Sequence, residues 1–214
     1  MRPGRGAGPV KPLSPLRLYA RSRALPGAFA ALAGTAAAAA WAARWLETLP
    51  GSGPSDRLPV VVLGPLLAAA AIGTCLRTPS DELDRTAVRA WWPRRLAHLL
   101  VPAALAALLL ALAVPGHPAE FGAPAAVRNT LGLVGAAAAS AALVGARLSW
   151  LPPALYTGAV PLAAPVGTGG AADWWAWVTR PGPQGGAWTA AAAVFAAGTA
   201  LYAWRGARCA GGGR

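Results

Sequence analysis

The chain has 214 residues, of which 56% are hydrophobic and only 12% are charged. Because an average soluble domain carries roughly 25% charged residues, this composition leaves too little polar surface for a soluble globular protein. It also excludes intrinsic disorder for most of the chain, because disordered segments have low hydrophobicity. The composition therefore indicates a membrane protein.

Six stretches lack Asp, Glu, Lys and Arg and are long enough to cross a bilayer as helices, which takes about 20 apolar residues. Gly/Pro-rich parts of the last two are assigned to loops. The fifth stretch contains Pro152, Pro153, Pro161 and Pro165, which disturb helical hydrogen bonding and favour a kinked or broken span. The sequence predicts an all-α, polytopic membrane protein with transmembrane helices at 27–46, 59–76, 96–114, 129–147, 150–166 and 187–204.

The basic residues predict the orientation of these spans. If the N-terminus is inside, 15 of the 19 Lys and Arg residues lie on the cytoplasmic side, and only Arg44, Arg57, Arg128 and Arg180 lie outside. Cytoplasmic loops carry the excess of Lys and Arg in membrane proteins, so a multi-pass cell-membrane protein with both termini in the cytoplasm is predicted. The net charge of +12 would indicate nucleic-acid binding in a soluble protein. Here the basic residues flank apolar runs, so a lipid bilayer is the expected partner and nucleic acid is not.

Aromatic and small residues add two expectations about the spans. The ten Trp residues lie near predicted span ends, at the interface depth that indole favours, and Trp177 is placed there beside the sixth span. Gly132, Ala136 and Ser140 lie four residues apart on one face of the fourth span. This spacing permits close helix contact, but it also arises by chance in an Ala-rich chain.

The residue types that enzymes use are nearly absent from the predicted spans. His98 and His117 lie near opposite ends of the third span, so they cannot share a metal ion. Cys75 and Cys209 both lie on the predicted cytoplasmic side, where thiols stay reduced. The spans contain no Ser-His-Asp set, and the chain has no HExxH or P-loop sequence. We therefore expect no enzymatic activity, no cofactor and no metal site.

The basic N-terminus, 1–26, contains a possible short helix. Ser14 suits an N-cap and Pro15 the first helical position, which predicts an interfacial helix over 14–25. Arg17 and Arg21 lie on one face of this helix, near anionic lipid headgroups. A plain basic flank of the first span explains the same residues.

The loop between the second and third spans is the most polar part of the chain. Ser80 suits an N-cap, and acidic residues follow it in the first turn, where the helix dipole favours negative charge. The pattern predicts a short amphipathic helix over 80–90 facing the cytoplasm. Docking of a partner and ordinary capping both explain its charges, which are Asp81, Glu82, Asp84, Arg85 and Arg89.

This layout resembles the permease subunits of type-2 ABC exporters, especially short six-span versions from actinobacteria. It combines a basic interfacial helix at 14–25, a six-span domain at 27–204 with both ends inside, a charged helix at 80–90 and a basic tail at 205–214. In that family the helix between spans two and three is a coupling helix that docks on a separate ATPase chain. The resemblance implies that role for Asp81, Glu82, Asp84, Arg85 and Arg89. It also implies a re-entrant outer segment within 161–188.

Two functions remain open from the sequence. The first is a permease that forms a homodimer or heterodimer, is powered by separate ATPase chains, and exports an apolar or amphipathic substrate. The second is a membrane accessory or immunity protein that transports nothing and acts by binding a partner. Spans lined by Ala without fixed charge fit an apolar or amphipathic cargo.

Overall fold

The structure is a computed structural model that describes residues 25–76, 92–163 and 170–208. These residues form α-helices and short 3-10 turns, with no strand in the described ranges. The 3-10 turns are Pro54–Arg57, Ala146–Leu148 and Trp177–Thr179. The helices are α1 (Leu25–Glu47), α2 (Leu58–Cys75), α3 (Trp92–Ala113), α4 (Ala123–Leu143), α5 (Leu151–Ala163), α6 (Ala172–Trp175) and α7 (Gly185–Arg205).

Four helices are long and apolar enough to cross a membrane: α2 with its preceding 3-10 turn, α3, α4 and α7. The described part of the chain is therefore all-helical and contains four candidate membrane-spanning helices. Each of the six predicted spans overlaps one helix, because the charge-free runs that mark spans also favour helix. The described part of α5 has 13 residues, about 20 Å of helix, and the last three residues of the predicted span 150–166 lie outside the described residues.

The helices alternate in direction, which gives the bundle two ends. α1 and α3 end where α2, α4 and α7 begin, and we call this the Arg128 end. The opposite end, where α2, α4 and α7 finish, is called the Arg205 end. α4 is the central helix, because it packs against α2, α3, α5 and α7. In its apolar window 72% of the residues are buried, against 28% in α7.

A close helix contact joins α4 and α7 at two glycines. A Cβ atom added at Gly198 would collide with the carbonyl oxygen of Gly135, and one added at Gly135 would collide with Phe195. The two backbones therefore touch directly, as small residues allow in membrane helices. This contact lies at Gly135 and not on the predicted face of Gly132, Ala136 and Ser140.

The start of α4 differs from the predicted span 129–147. The helix begins at Ala123, after Gly122 and with Pro124 in its first turn, and it ends at Leu143. The prediction excluded Arg128 from the span because charged residues are costly in an apolar region. Arg128 nevertheless lies inside the helix and is fully buried, since oxygen atoms from distant parts of the chain accept its hydrogen bonds.

A Gly198→Leu substitution tests the contact between α4 and α7. The added side chain collides with backbone, so we expect a loss of about 3 kcal/mol in the free energy of unfolding, within the usual range for overpacking. Thermal unfolding in detergent, monitored by tryptophan fluorescence, measures this loss of stability. Ala197→Leu is the matched control, because Ala197 is exposed on the same helix and the change is expected to cost less than about 0.5 kcal/mol. Equal losses in both variants would contradict the close contact.

Candidate functional site: a buried arginine and asparagine beneath a folded-back segment

Residues 170–184, the folded-back segment, directly precede α7 at the Arg128 end and turn into the bundle. Ala176, Trp177 and Val178 are buried there. The Trp177 ring lies so close to Gly132 of α4 that a Cβ atom at Gly132 would collide with it. Gly132 is about 14 Å along the axis from the first residue of α4. Irregular backbone is therefore buried among apolar helices, where each carbonyl oxygen needs a hydrogen-bond donor.

Arg128 supplies donors to the second half of the folded-back segment. Its Nη1 donates to the Pro181 carbonyl oxygen at 2.7 Å, and its Nη2 donates to the Arg180 carbonyl oxygen at 2.5 Å. Nε and Nη2 also donate to Asn129 Oδ1, each at 3.2 Å. Within the described ranges, every acceptor of Arg128 is an amide oxygen. The buried positive charge is thus stabilised by carbonyl dipoles that it also satisfies.

Asn129 continues this arrangement toward α2. Its Nδ2 donates to the Val178 carbonyl oxygen at 2.8 Å and to the Val61 carbonyl oxygen at 3.0 Å. Its Oδ1 accepts from Arg128, so one side chain joins α2, α4 and the folded-back segment. Asn129 and Arg128, the Arg–Asn pair, are both fully buried.

Further contacts hold the folded-back segment on its other sides. The Tyr156 hydroxyl of α5 donates to the Trp175 carbonyl oxygen at 2.6 Å, and the Tyr156 ring stacks on Trp177 with centroids 5.5 Å apart. The Gly182 amide donates to the Glu120 carbonyl oxygen at 2.6 Å, which ties the segment to the loop before α4. An ion pair inside the segment joins Arg180 Nε to Asp173 Oδ1 at 3.3 Å.

Arg57 forms a second buried arginine site at the same end. It pairs with Glu47 of α1, and its Nη1 donates to the Pro115 carbonyl oxygen at 3.0 Å. This interaction ties the α1–α2 connection to the end of α3. Arg57 and Arg180 are each 5% exposed, and the exposure of Arg128 is 0%.

Charge divides sharply between the two ends of the bundle. All four carboxylates of the described residues lie at the Arg128 end: Glu47, Asp56, Glu120 and Asp173. Five described arginines lie at the other end: Arg94, Arg95, Arg147, Arg205 and Arg208. The described residues of the Arg205 end therefore carry a strong positive charge, and those of the Arg128 end carry acidic and basic groups in balance.

One expectation from the sequence is corrected here. Trp177 does not lie at an exposed interface, because it is 4% exposed and packed between Gly132 and Tyr156. The sequence assigns Arg57, Arg128 and Arg180 to the non-cytoplasmic side, and the structure shows in addition that all three are buried. Arg57 and Arg128 each donate to a carbonyl oxygen more than 50 residues away, which local charge counting does not reveal. The adjacent polar residues Arg128 and Asn129 at the edge of an apolar run were the available signal.

The predicted docking residues Asp81, Glu82, Asp84, Arg85 and Arg89 lie outside the described residues. The helix predicted over 14–25 lies outside them as well, except for its last residue. His98 and His117 lie at opposite ends of α3, as predicted, and His98 Nε2 is 3.1 Å from the Cys75 carbonyl oxygen. The part of the chain that the structure describes contains no group of three His, Cys, Asp or Glu residues suited to a metal ion.

Comparison with known proteins yields no relative of this chain. No family, curated protein or solved structure matches it. The folded-back segment, the Arg–Asn pair and the division of charge therefore carry the functional inference.

An Arg128→Met substitution tests the role of the buried guanidinium. The change leaves the carbonyl oxygens of Arg180 and Pro181 without their donor. Each unsatisfied buried group lowers the free energy of unfolding by about 1–3 kcal/mol. We expect the thermal unfolding midpoint in detergent to fall by at least about 4 °C, since 1 kcal/mol corresponds to about 2–4 °C in a protein of this size.

Arg44→Met is the matched control, because Arg44 is an exposed arginine in the last turn of α1 at the same end. Its unfolding midpoint is expected to stay within about 1–2 °C of the wild-type value. Similar midpoints for the two variants would show that the buried hydrogen bonds contribute no more than a surface charge.

Proposed function

We propose that this protein is the permease subunit of an ATP-driven exporter of the type-2 ABC class. The observation that carries the proposal is the folded-back segment, which lies within 161–188, where the resemblance implies a re-entrant outer segment. Non-helical backbone at membrane depth is tolerated where it is buried in protein or lines a cavity, and transporters use it at such positions. The four apolar helices of the described residues support a membrane location.

The proposed topology has six spans in the cell membrane with both termini in the cytoplasm. The charge division supports this orientation, because the arginine-rich Arg205 end fits the cytoplasmic side. α1 is about 35 Å long and matches the thickness of the hydrocarbon core. α5 forms part of the fifth span, and the folded-back segment lies on the outer side of the bundle.

The proposed partner is a separate ATPase chain that docks on residues 80–90, with Asp81, Glu82, Asp84, Arg85 and Arg89 as polar contacts. Support comes from the flanking helix ends, since Cys75 and Trp92 both lie at the Arg205 end. Two permeases, identical or related, pair to form one pathway for an apolar or amphipathic substrate.

Removing the acidic charges of residues 80–90 tests this docking. The triple variant Asp81→Asn, Glu82→Gln and Asp84→Asn is purified from membranes of the native host, and a co-purifying ATPase subunit is identified by its P-loop peptide. We expect the ATPase to co-purify with the wild-type protein. In the triple variant the amount of co-purified ATPase is expected to fall at least about tenfold, which corresponds to a loss of about 1.4 kcal/mol in binding free energy. Glu120→Gln, an exposed acid at the other end, is expected to bind normally.

A reporter that is active only outside the cytoplasm verifies membrane insertion of each variant. It is expected to be silent after Arg214 and active near Ser52. Unchanged ATPase binding in the triple variant would contradict the docking role of residues 80–90. If no ATPase subunit co-purifies with the wild-type protein, the exporter function would be contradicted, and the alternative function as an accessory or immunity protein would be favoured.

A further inference from the structure

An apolar groove runs between α1 and α2 on the outside of the bundle. Its volume is about 330 Å³, and its lining includes Ala38 and Ala42 of α1 and Leu63 and Leu67 of α2. Small side chains on α1 leave the space open, and the larger side chains of α2 form the opposite wall. Because α2 is a candidate membrane-spanning helix, the groove faces the hydrocarbon of the bilayer.

Two tryptophans border the groove toward the Arg128 end. The rings of Trp41 and Trp45 stack nearly parallel, with centroids 6.2 Å apart. Trp41 is 69% exposed, so the pair stands out from α1 and deepens the groove on that side. Tryptophan at this position is typical of the boundary between lipid chains and headgroups.

A polar cavity adjoins the groove at its Arg128 end. It has a volume of about 160 Å³, and Leu46 lines both the cavity and the groove. Its polar lining includes Glu47, Arg57, Ser52 and His117. The buried Arg57 presents a fixed positive charge, while the Glu47 side chain is 52% exposed and open to a second partner. Apolar and polar spaces therefore meet at the depth where a lipid changes from chain to headgroup.

We propose that this pair of spaces is a binding site for a phospholipid with a phosphate and a primary ammonium in its headgroup. One acyl chain occupies the groove between α1 and α2. The phosphate lies toward Arg57 and His117, and the ammonium donates to the exposed oxygen of Glu47. Phosphatidylethanolamine has this chemistry. The quaternary ammonium of phosphatidylcholine is bulkier and has no N–H to donate to a carboxylate.

The proposal concerns this surface alone and does not depend on an ATPase partner. Acyl chains contact every exposed apolar face of a membrane protein, but here a polar cavity adjoins the apolar groove at a shared residue, Leu46. Because the groove faces hydrocarbon, it holds an acyl chain by van der Waals packing and shape, and the charged cavity supplies headgroup selectivity.

Photolabelling tests whether an acyl chain occupies the groove between α1 and α2. The full-length protein is reconstituted in phosphatidylcholine vesicles that contain a small fraction of phosphatidylethanolamine with a diazirine in one acyl chain. We expect labelling to concentrate in peptides that contain Ala38 and Leu67. The double variant Ala38→Leu and Ala42→Leu fills the groove and is expected to reduce this labelling about tenfold, equivalent to about 1.4 kcal/mol.

Ala104→Leu is the matched control, because Ala104 lies on an exposed face of α3 and the substitution is of the same kind. It is expected to leave the labelling of the groove unchanged. Size-exclusion profiles confirm that both variants are folded. Two results would overturn the assignment of the groove as an acyl-chain site. One is equal labelling of the groove and of the exposed α3 residues Leu108 and Leu112. The other is unchanged labelling when the groove is filled.

A second comparison tests headgroup selectivity. Phosphatidylcholine with the same photoreactive chain is expected to label the groove less than phosphatidylethanolamine. Glu47→Gln, which keeps an oxygen acceptor for Arg57 but removes the charge, is expected to abolish this difference, and Glu120→Gln is expected to preserve it. Equal labelling by the two lipids in the wild-type protein would overturn the headgroup assignment.

Discussion

The hydrogen bonds from Arg128 and Asn129 to backbone carbonyl oxygens are the interactions on which the Arg128 end depends. The folded-back segment brings irregular backbone among apolar helices, where water is not available to satisfy it. The carbonyl oxygens of Val178, Arg180 and Pro181 all receive donors from two adjacent side chains of α4. The same carbonyl oxygens make a buried guanidinium tolerable. Each feature would be costly without the other, so the segment and the Arg–Asn pair stabilise one another.

Small residues on α4 make room for this arrangement. Gly132 accommodates the Trp177 ring, and Gly135 permits backbone contact with Gly198 of α7. The two glycines are three positions apart in the sequence, so they lie on nearby faces of the central helix. One face receives the folded-back segment, and the next receives α7. The position of the segment therefore follows from helix packing as well as from hydrogen bonding.

Much of the helical layout could be predicted from the sequence. Charge-free apolar runs are local features, and each predicted span overlaps an observed helix. The burial of Arg128 could not be predicted in this way, because its backbone acceptors lie more than 50 residues away, at Arg180 and Pro181. The burial of Trp177 could not be predicted either, for a related reason. Its burial depends on Gly132 and Tyr156, and proximity to a span end does not reveal such a partner.

Amide hydrogen exchange in the folded-back segment tests the central role of the Arg–Asn pair most directly. The protein is reconstituted in lipid, and deuterium uptake is measured by mass spectrometry for residues 172–180 and, as an internal reference, for residues 192–200 of α7. In the wild-type protein both peptides are expected to exchange slowly. Asn129→Leu removes the donors to Val61 and Val178 and is expected to accelerate exchange in 172–180 while 192–200 stays protected. Unchanged protection of 172–180 in this variant would contradict the claim that these hydrogen bonds hold the segment in the bundle.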